Sequence, residues 1–158
     1  MSDARFEDGD DAPLSLAAQD SESLSVLSAL LQDAVFPITE MAYAKSRRRF
    51  ALLVNRFRWE DRTQAQAANR GFERVQSLLV FHDVLAVQTM GIDRADTDTV
   101  LSLLHISYHP GPDGTGRADL ILAGDGSIAL TLESLDIALR DVTRPYLAPS
   151  GKVPDHRQ

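Results

Sequence analysis

The chain has 158 residues, 44% of them hydrophobic, which suits one domain with one ordinary core. Its 16 Lys+Arg stand against 23 Asp+Glu, a formal net charge of −7, so binding to nucleic acid as a general polyanion is not expected. The absence of cysteine excludes disulfides, thiolate metal centres, iron–sulfur clusters and cysteine nucleophiles.

Along the chain, Asp3, Glu7, Asp8, Asp10 and Asp11 face only Arg5 in the first dozen residues, unlike the basic and then apolar start of a secretory signal. Residues 1–13 are expected to form a disordered acidic tail, because nothing in them repays the entropy of ordering. Leu24, Leu27, Leu30, Leu31 and Ala34 then recur at helical steps, with Asp20 or Ser21 as cap and Phe36-Pro37 as stop.

From Pro37 onward the period falls to near two. Seven strands are expected, at 38–45, 49–59, 72–82, 84–90, 100–108, 117–123 and 127–132. Short links at Ser46-Arg47-Arg48, His82-Asp83 and Gly124-Asp125-Gly126 make their neighbours antiparallel. The second strand, with Phe50-Ala51-Leu52-Leu53-Val54, is apolar on both parities, so the N-terminal helix is expected to pack on it. Its run Ala51–Val54 is also far shorter than the roughly 20 residues of a membrane-spanning helix. Ser134 to Val142 returns to helical spacing and predicts a C-terminal helix before Pro145. The expected layout is therefore a globular domain at 14–147, mainly antiparallel β within the α+β class, followed by a flexible tail at 148–158.

This order of elements resembles the pleckstrin-homology-like superfold, a bent barrel or roll of about seven strands with one C-terminal helix at its end. The N-terminal helix would be an addition to it. At the level of motifs, Leu31-Gln32-Asp33-Ala34-Val35, Arg49-Phe50-Ala51-Leu52, Asn55-Arg56-Phe57-Arg58-Trp59-Glu60 and Gly91-Ile92-Asp93-Arg94 resemble a small bacterial family of unknown function. That resemblance implies a stand-alone bacterial domain, and it carries no activity, cofactor or catalytic residue onto this chain.

Few residues invite chemistry. His105 and His109 lie four apart on an expected strand, roughly 13 Å from each other and too far to share a metal. His82 and Asp83 share a tight turn, and His156 lies in the tail. Asp93, Asp96 and Asp98 resemble a calcium loop but lack its glycine and its distal glutamate. The glycines between Gly111 and Gly116 precede a strand rather than a helix, so no helix N-terminus is aimed at a phosphate. No familiar hydrolase motif is present.

The most unusual feature is positive. Nine of the sixteen basic residues fall between Lys45 and Arg74: Lys45, Arg47, Arg48, Arg49, Arg56, Arg58, Arg62, Arg70 and Arg74. Phe57 and Trp59 interleave with Arg56 and Arg58. The plain reading is that these arginines solvate hairpin edges while the aromatics fill the core. The functional reading makes Arg47, Arg48, Arg49, Arg56, Arg58 and Trp59 the partner-facing surface of a cytoplasmic, non-enzymatic binding or adaptor domain. Its partner would be an acidic protein segment, because the planar guanidinium grips carboxylates with two parallel hydrogen bonds. The alternative is a small-ligand domain or enzyme with a loop-built site around His82, Asp83, His105 and His109. Neither a metal nor a cofactor is expected.

Overall fold

The computed structural model describes residues 13–61 and 73–147. The expected tails therefore lie outside the described residues apart from Pro13, as do Arg62, Arg70 and His156. In chain order the elements are β1 (Ser15–Ala18), α1 (Ser21–Leu30), β2 (Val35–Pro37), β3 (Met41–Ala44), β4 (Arg49–Phe57), β5 (Glu73–Phe81), β6 (Val84–Met90), β7 (Val100–Pro110), β8 (Gly116–Leu122), β9 (Ser127–Leu132), β10 (Ile137–Asp141) and β11 (Tyr146–Leu147). Every pairing is antiparallel, and the strands follow the order β1-β10-β5-β4-β2-β7-β8-β9-β6, with β3 beside β4 and β11 beside β5.

Each of the seven expected strands has a counterpart, but the described residues contain eleven. The additional ones, β1, β2, β10 and β11, are between two and five residues long.

The expected C-terminal helix is a strand. Leu135, Ala138, Leu139 and Val142 do fit a helical period, but Ile137, Leu139 and Asp141 fit a period of two just as well. The edge of β5 decides between them: Ile137–Asp141 pairs with Phe81–Ser77, and β1 then pairs with β10 from outside. Ile137, Leu139 and Asp141 are buried, whereas Val142, which the helix would have buried, is 46% exposed. Ser134 is no helix cap; its hydroxyl donates to the Asp83 carboxylate at 2.6 Å.

The path of strands ends on β1 and β6, which do not pair with each other, so the sheet is not closed. Among the described residues β10 and β11 follow β9 in place of the expected C-terminal helix, so the pleckstrin-homology-like order of elements is not reproduced there. The sheet folds over instead. Strands β1, β10, β5 and β4 and strands β7, β8, β9 and β6 are joined through three-residue β2, and both groups contribute to one apolar core. Leu52, Val54, Leu79, Phe81 and Leu139 enter it from the first group, and Leu103, Leu120, Leu122, Ile128 and Leu130 from the second.

Helix α1 is shorter than its apolar spacing suggests. A capping box starts it, with the Ser23 N–H donating to the Asp20 carboxylate at 2.7 Å. Asp33, at φ 65°, turns the chain into β2. The helix lies against β1 and β7, not on β4 as expected. Leu24, Leu27 and Leu31 point into the common core, and the second face of β4, at Ala51 and Leu53, is only half-buried. A bulge leaves Leu104 as an extra residue in β7, and nearby the Ile106 N–H donates to the Ser28 hydroxyl on α1 at 2.9 Å.

Candidate functional site

Strands β3 and β4 form a hairpin whose register pairs Ala44 with Arg49 and Met41 with Leu52. Its turn is a single 3-10 turn, Lys45–Arg47, followed by Arg48 in the left-handed region at φ 51° and ψ 43°. Glycine or asparagine usually sits in this conformation, and a side chain with a Cβ is strained there by roughly 1 kcal/mol. Two contacts hold the turn: the Arg48 N–H donates to the Lys45 carbonyl at 3.1 Å, and the Arg48 carbonyl accepts from Val84 of β6 at 2.8 Å.

All of Lys45, Arg47, Arg48 and Arg49 are exposed. Arg48 meets Glu133 at 2.9 Å with both side chains more than half exposed, a contact worth little on its own. Among the described residues, Lys45, Arg47 and Arg49 have no carboxylate partner. Three of the four cations of this turn thus lack a carboxylate partner among the described residues.

Arg56 and Arg58 behave differently. Strand β4 alternates, and Arg56 shares the inward parity of Phe50, Leu52 and Val54, so its side chain is 0% exposed. Its guanidinium makes a two-pronged pair with Glu60 at 2.9 and 2.9 Å and reaches Asp141 at 3.0 Å. Its Nε–H donates to the Ser77 hydroxyl at 3.0 Å, and that hydroxyl donates onward to Asp141 at 2.7 Å. The second Asp141 oxygen accepts the Leu14 N–H at 2.9 Å. Burial by itself would lower the Arg56 pKa, but Glu60 and Asp141 outweigh it and hold the group above its ordinary value.

Arg58, also buried, pairs with Glu73 and lies 3.7 Å from Asp61. Arg74 lies over the Phe57 ring, 4.2 Å from its centroid, and donates to Asn55; burial lowers its pKa against a smaller opposing effect from Tyr146. Phe57 packs on Trp59 with centroids 5.5 Å apart, and the Trp59 indole N–H donates to the Gln32 carbonyl at 2.9 Å. The expected stripe is therefore two structures. Arg47, Arg48 and Arg49 form an exposed turn, whereas Arg56 and Arg58 are buried against carboxylates of their own chain and Trp59 is tied to the end of α1.

The inner cluster has a serine, an aspartate and an arginine in contact. Its polar atoms are partnered, and among the described residues no buried side-chain nitrogen or oxygen is left without a hydrogen bond. Among the described residues no histidine hydrogen-bonds to Ser77.

Among the described residues, His82, His105 and His109 make separate contacts. The His82 N–H donates to the Asp136 carbonyl, and its neighbour Asp83, at φ 58°, shapes the β5–β6 turn. His109 lies 3.1 Å from Asp119, which Arg117 also meets at 3.1 Å. His105 lines an open groove of about 680 Å³ between α1 and β7 that includes none of His82, Asp83 and His109. No group of three or more His, Asp or Glu able to hold a metal occurs among the described residues. Nor is any helix there long and apolar enough to cross a membrane.

Sequence reasoning missed Ser77, Asp141 and Glu60 as partners of Arg56. The signal lay in parity, since Ser77 follows Val75 and precedes Leu79 on an inward face, and Asp141 follows Ile137 and Leu139. A polar residue on an apolar parity needs a partner on another.

No curated protein matches the chain, and no solved structure does. A family described as "Protein of unknown function (DUF2948)" matches residues 14–156, and since this covers most of the sequence, including the arginine turn and the inner cluster, the chain belongs to that family.

Proposed function

We propose that this protein is a cytoplasmic, non-enzymatic binding domain that takes an acidic protein segment on the Lys45–Arg49 turn. The observation that carries this reading is the exposed Lys45, Arg47 and Arg49, which have no ion-pair partner among the described residues of a chain of net charge −7. A second observation supports it: Arg48 occupies a left-handed position that glycine would fill with less strain, so the side chain is kept at a cost to the fold. The overall negative charge repels a long polyanion. A short acidic segment feels mainly the local field, within a Debye length of about 8 Å.

Fluorescence anisotropy with a labelled polyglutamate peptide and a labelled single-stranded DNA tests the reading. The peptide is expected to bind, to weaken with salt and to be lost in Arg47→Glu with Arg49→Glu. Equal binding of the DNA, or peptide binding that survives the double reversal, would overturn it.

A second reading, a small-ligand domain, rests on the groove that His105 lines beside Leu104 and Asp33. Ligand-induced NMR shifts confined to these residues would favour it over the first.

A further inference from the structure

The arginine turn stands at one end of a gap in the sheet. Among the described residues, strand β3 pairs only with β4 and β6 only with β9, so each has an edge without a ladder partner there. The two strands approach each other. They are pinned together where Val84 donates to the Arg48 carbonyl and the Tyr43 hydroxyl donates to the Val84 carbonyl at 3.1 Å. Beyond this pin both strands line a cavity of about 90 Å³, with Met41 and Tyr43 from β3, Val87 and Thr89 from β6, and Phe50 and Arg94 completing it.

Sequence sharpens the point. Edge strands are normally protected by charge, proline or cover, yet the seven residues of β6 and the four of β3 include no charged residue and no proline. Leu85 and Met90 of β6 are 42% and 66% exposed. The cavity is smaller than the roughly 150 Å³ that admits a benzene-sized ligand, and it suits a single aliphatic side chain. Cations flank the gap, with Lys45, Arg47 and Arg49 at the pinned end and Arg94 on the lining. Arg94 has no carboxylate partner among the described residues, and the neighbouring Asp93 and Asp96 accept hydrogen bonds from their own loop.

We infer that an extended acidic segment of another protein adds to β6 as a strand in this gap, placing one aliphatic side chain in the cavity and its carboxylates on the flanking cations. The inference rests on the acidic-partner reading above and supplies its binding mode: main-chain hydrogen bonds give the affinity, and the cavity and cations give the selectivity. A second copy of this chain is the poorer occupant. Its β6, laid antiparallel, would bring Arg94 of each copy to the arginine turn of the other, like charge against like.

The test compares two labelled peptides, one of alternating glutamate and valine and one of glutamate alone, on the wild-type chain and on single proline variants at Ala42, Ala44, Ala86 and Gln88. Proline is tolerated on an edge strand where the N–H points away from the ladder, so the variants that keep the wild-type melting temperature are the ones that block the gap. Amide exchange of β3 and β6, read with and without peptide, needs no variant at all.

The alternating peptide is expected to bind at least about tenfold more tightly than polyglutamate, to lose that advantage in the folded proline variants, and to slow exchange along both edges. If both peptides bind equally, β3 and β6 amides keep their exchange rates and only arginine reversal matters, the strand-addition inference falls and the arginine-turn reading stands. If neither peptide binds the wild-type chain, both fall. If the chain alone self-associates and a proline in β6 abolishes this, the occupant is a second copy and the inference is overturned.

Discussion

Arginines within ten residues of one another in this chain inhabit opposite environments. Arg47 and Arg49 stand in water without a carboxylate among the described residues, while Arg56 is 0% exposed and bound to two carboxylates and a hydroxyl. Strand geometry makes the difference. Arg49 lies on the outward parity next to a turn, whereas Arg56 lies on the inward parity seven residues later, where only a network of partners can repay its desolvation. A run of like charges in a sequence is thus not one surface, and its members divide into those buried against carboxylates and those left exposed.

The comparison breaks most visibly at Arg56. Arg56→Ala leaves Asp141 buried without its cation and is expected to cost about 3–5 kcal/mol in denaturant unfolding. In a double-mutant cycle, Asp141→Ala added to Arg56→Ala is expected to cost much less than the two single losses summed, because each single change strands the other partner. Leu27→Ala, in the apolar core, sets the scale for an ordinary packing loss at about 2–5 kcal/mol. A loss under about half a kcal/mol would mean that α1 is not docked.

The turn predicts the opposite. Arg48→Gly relieves the left-handed strain and is expected to leave stability unchanged or raise it by up to about 1 kcal/mol, since the Glu133 pair it removes is exposed. Arg47→Ala with Arg49→Ala is expected to move stability by less than about 0.5 kcal/mol. A larger loss in the same denaturation series would place these side chains in the structural group.

A local, pH-dependent effect is expected at Asp20, an exposed carboxylate that caps α1. The Ser23 hydroxyl and N–H hold its pKa below the usual aspartate value. A depressed pKa gives stability that is complete above the unfolded value and fades as pH falls through the folded one. The melting temperature of Asp20→Ala is therefore expected to lie below that of the wild type at neutral pH and to converge with it in acid.

Much of this was legible in the sequence. Strands β4 to β9 announce themselves by period and by short turns, and the Ser46-Arg47-Arg48 link is the hairpin turn that the spacing implies. The last strand was not legible, because Ile137 to Asp141 satisfies both periods and the edge of β5, distant in sequence, chooses between them. The arginine turn could be seen as a charge cluster. Its separation from Arg56 and Arg58 could be seen only by following strand parity through Val54 to Arg56 and asking which carboxylate shares that face, and Asp141 lay hidden in a segment that reads as helix.

The side-chain Nε–H resonances of the arginines give the most direct view of the division between the two groups. In a titration with polyglutamate peptide, the signals of Arg47 and Arg49 are expected to shift in proportion to binding, while those of Arg56 and Arg58 stay in place and exchange slowly with water. Shifts at Arg56 or Arg58 with none at Arg47 and Arg49 would contradict the account, because the buried arginines and not the exposed turn would then be the partner's site.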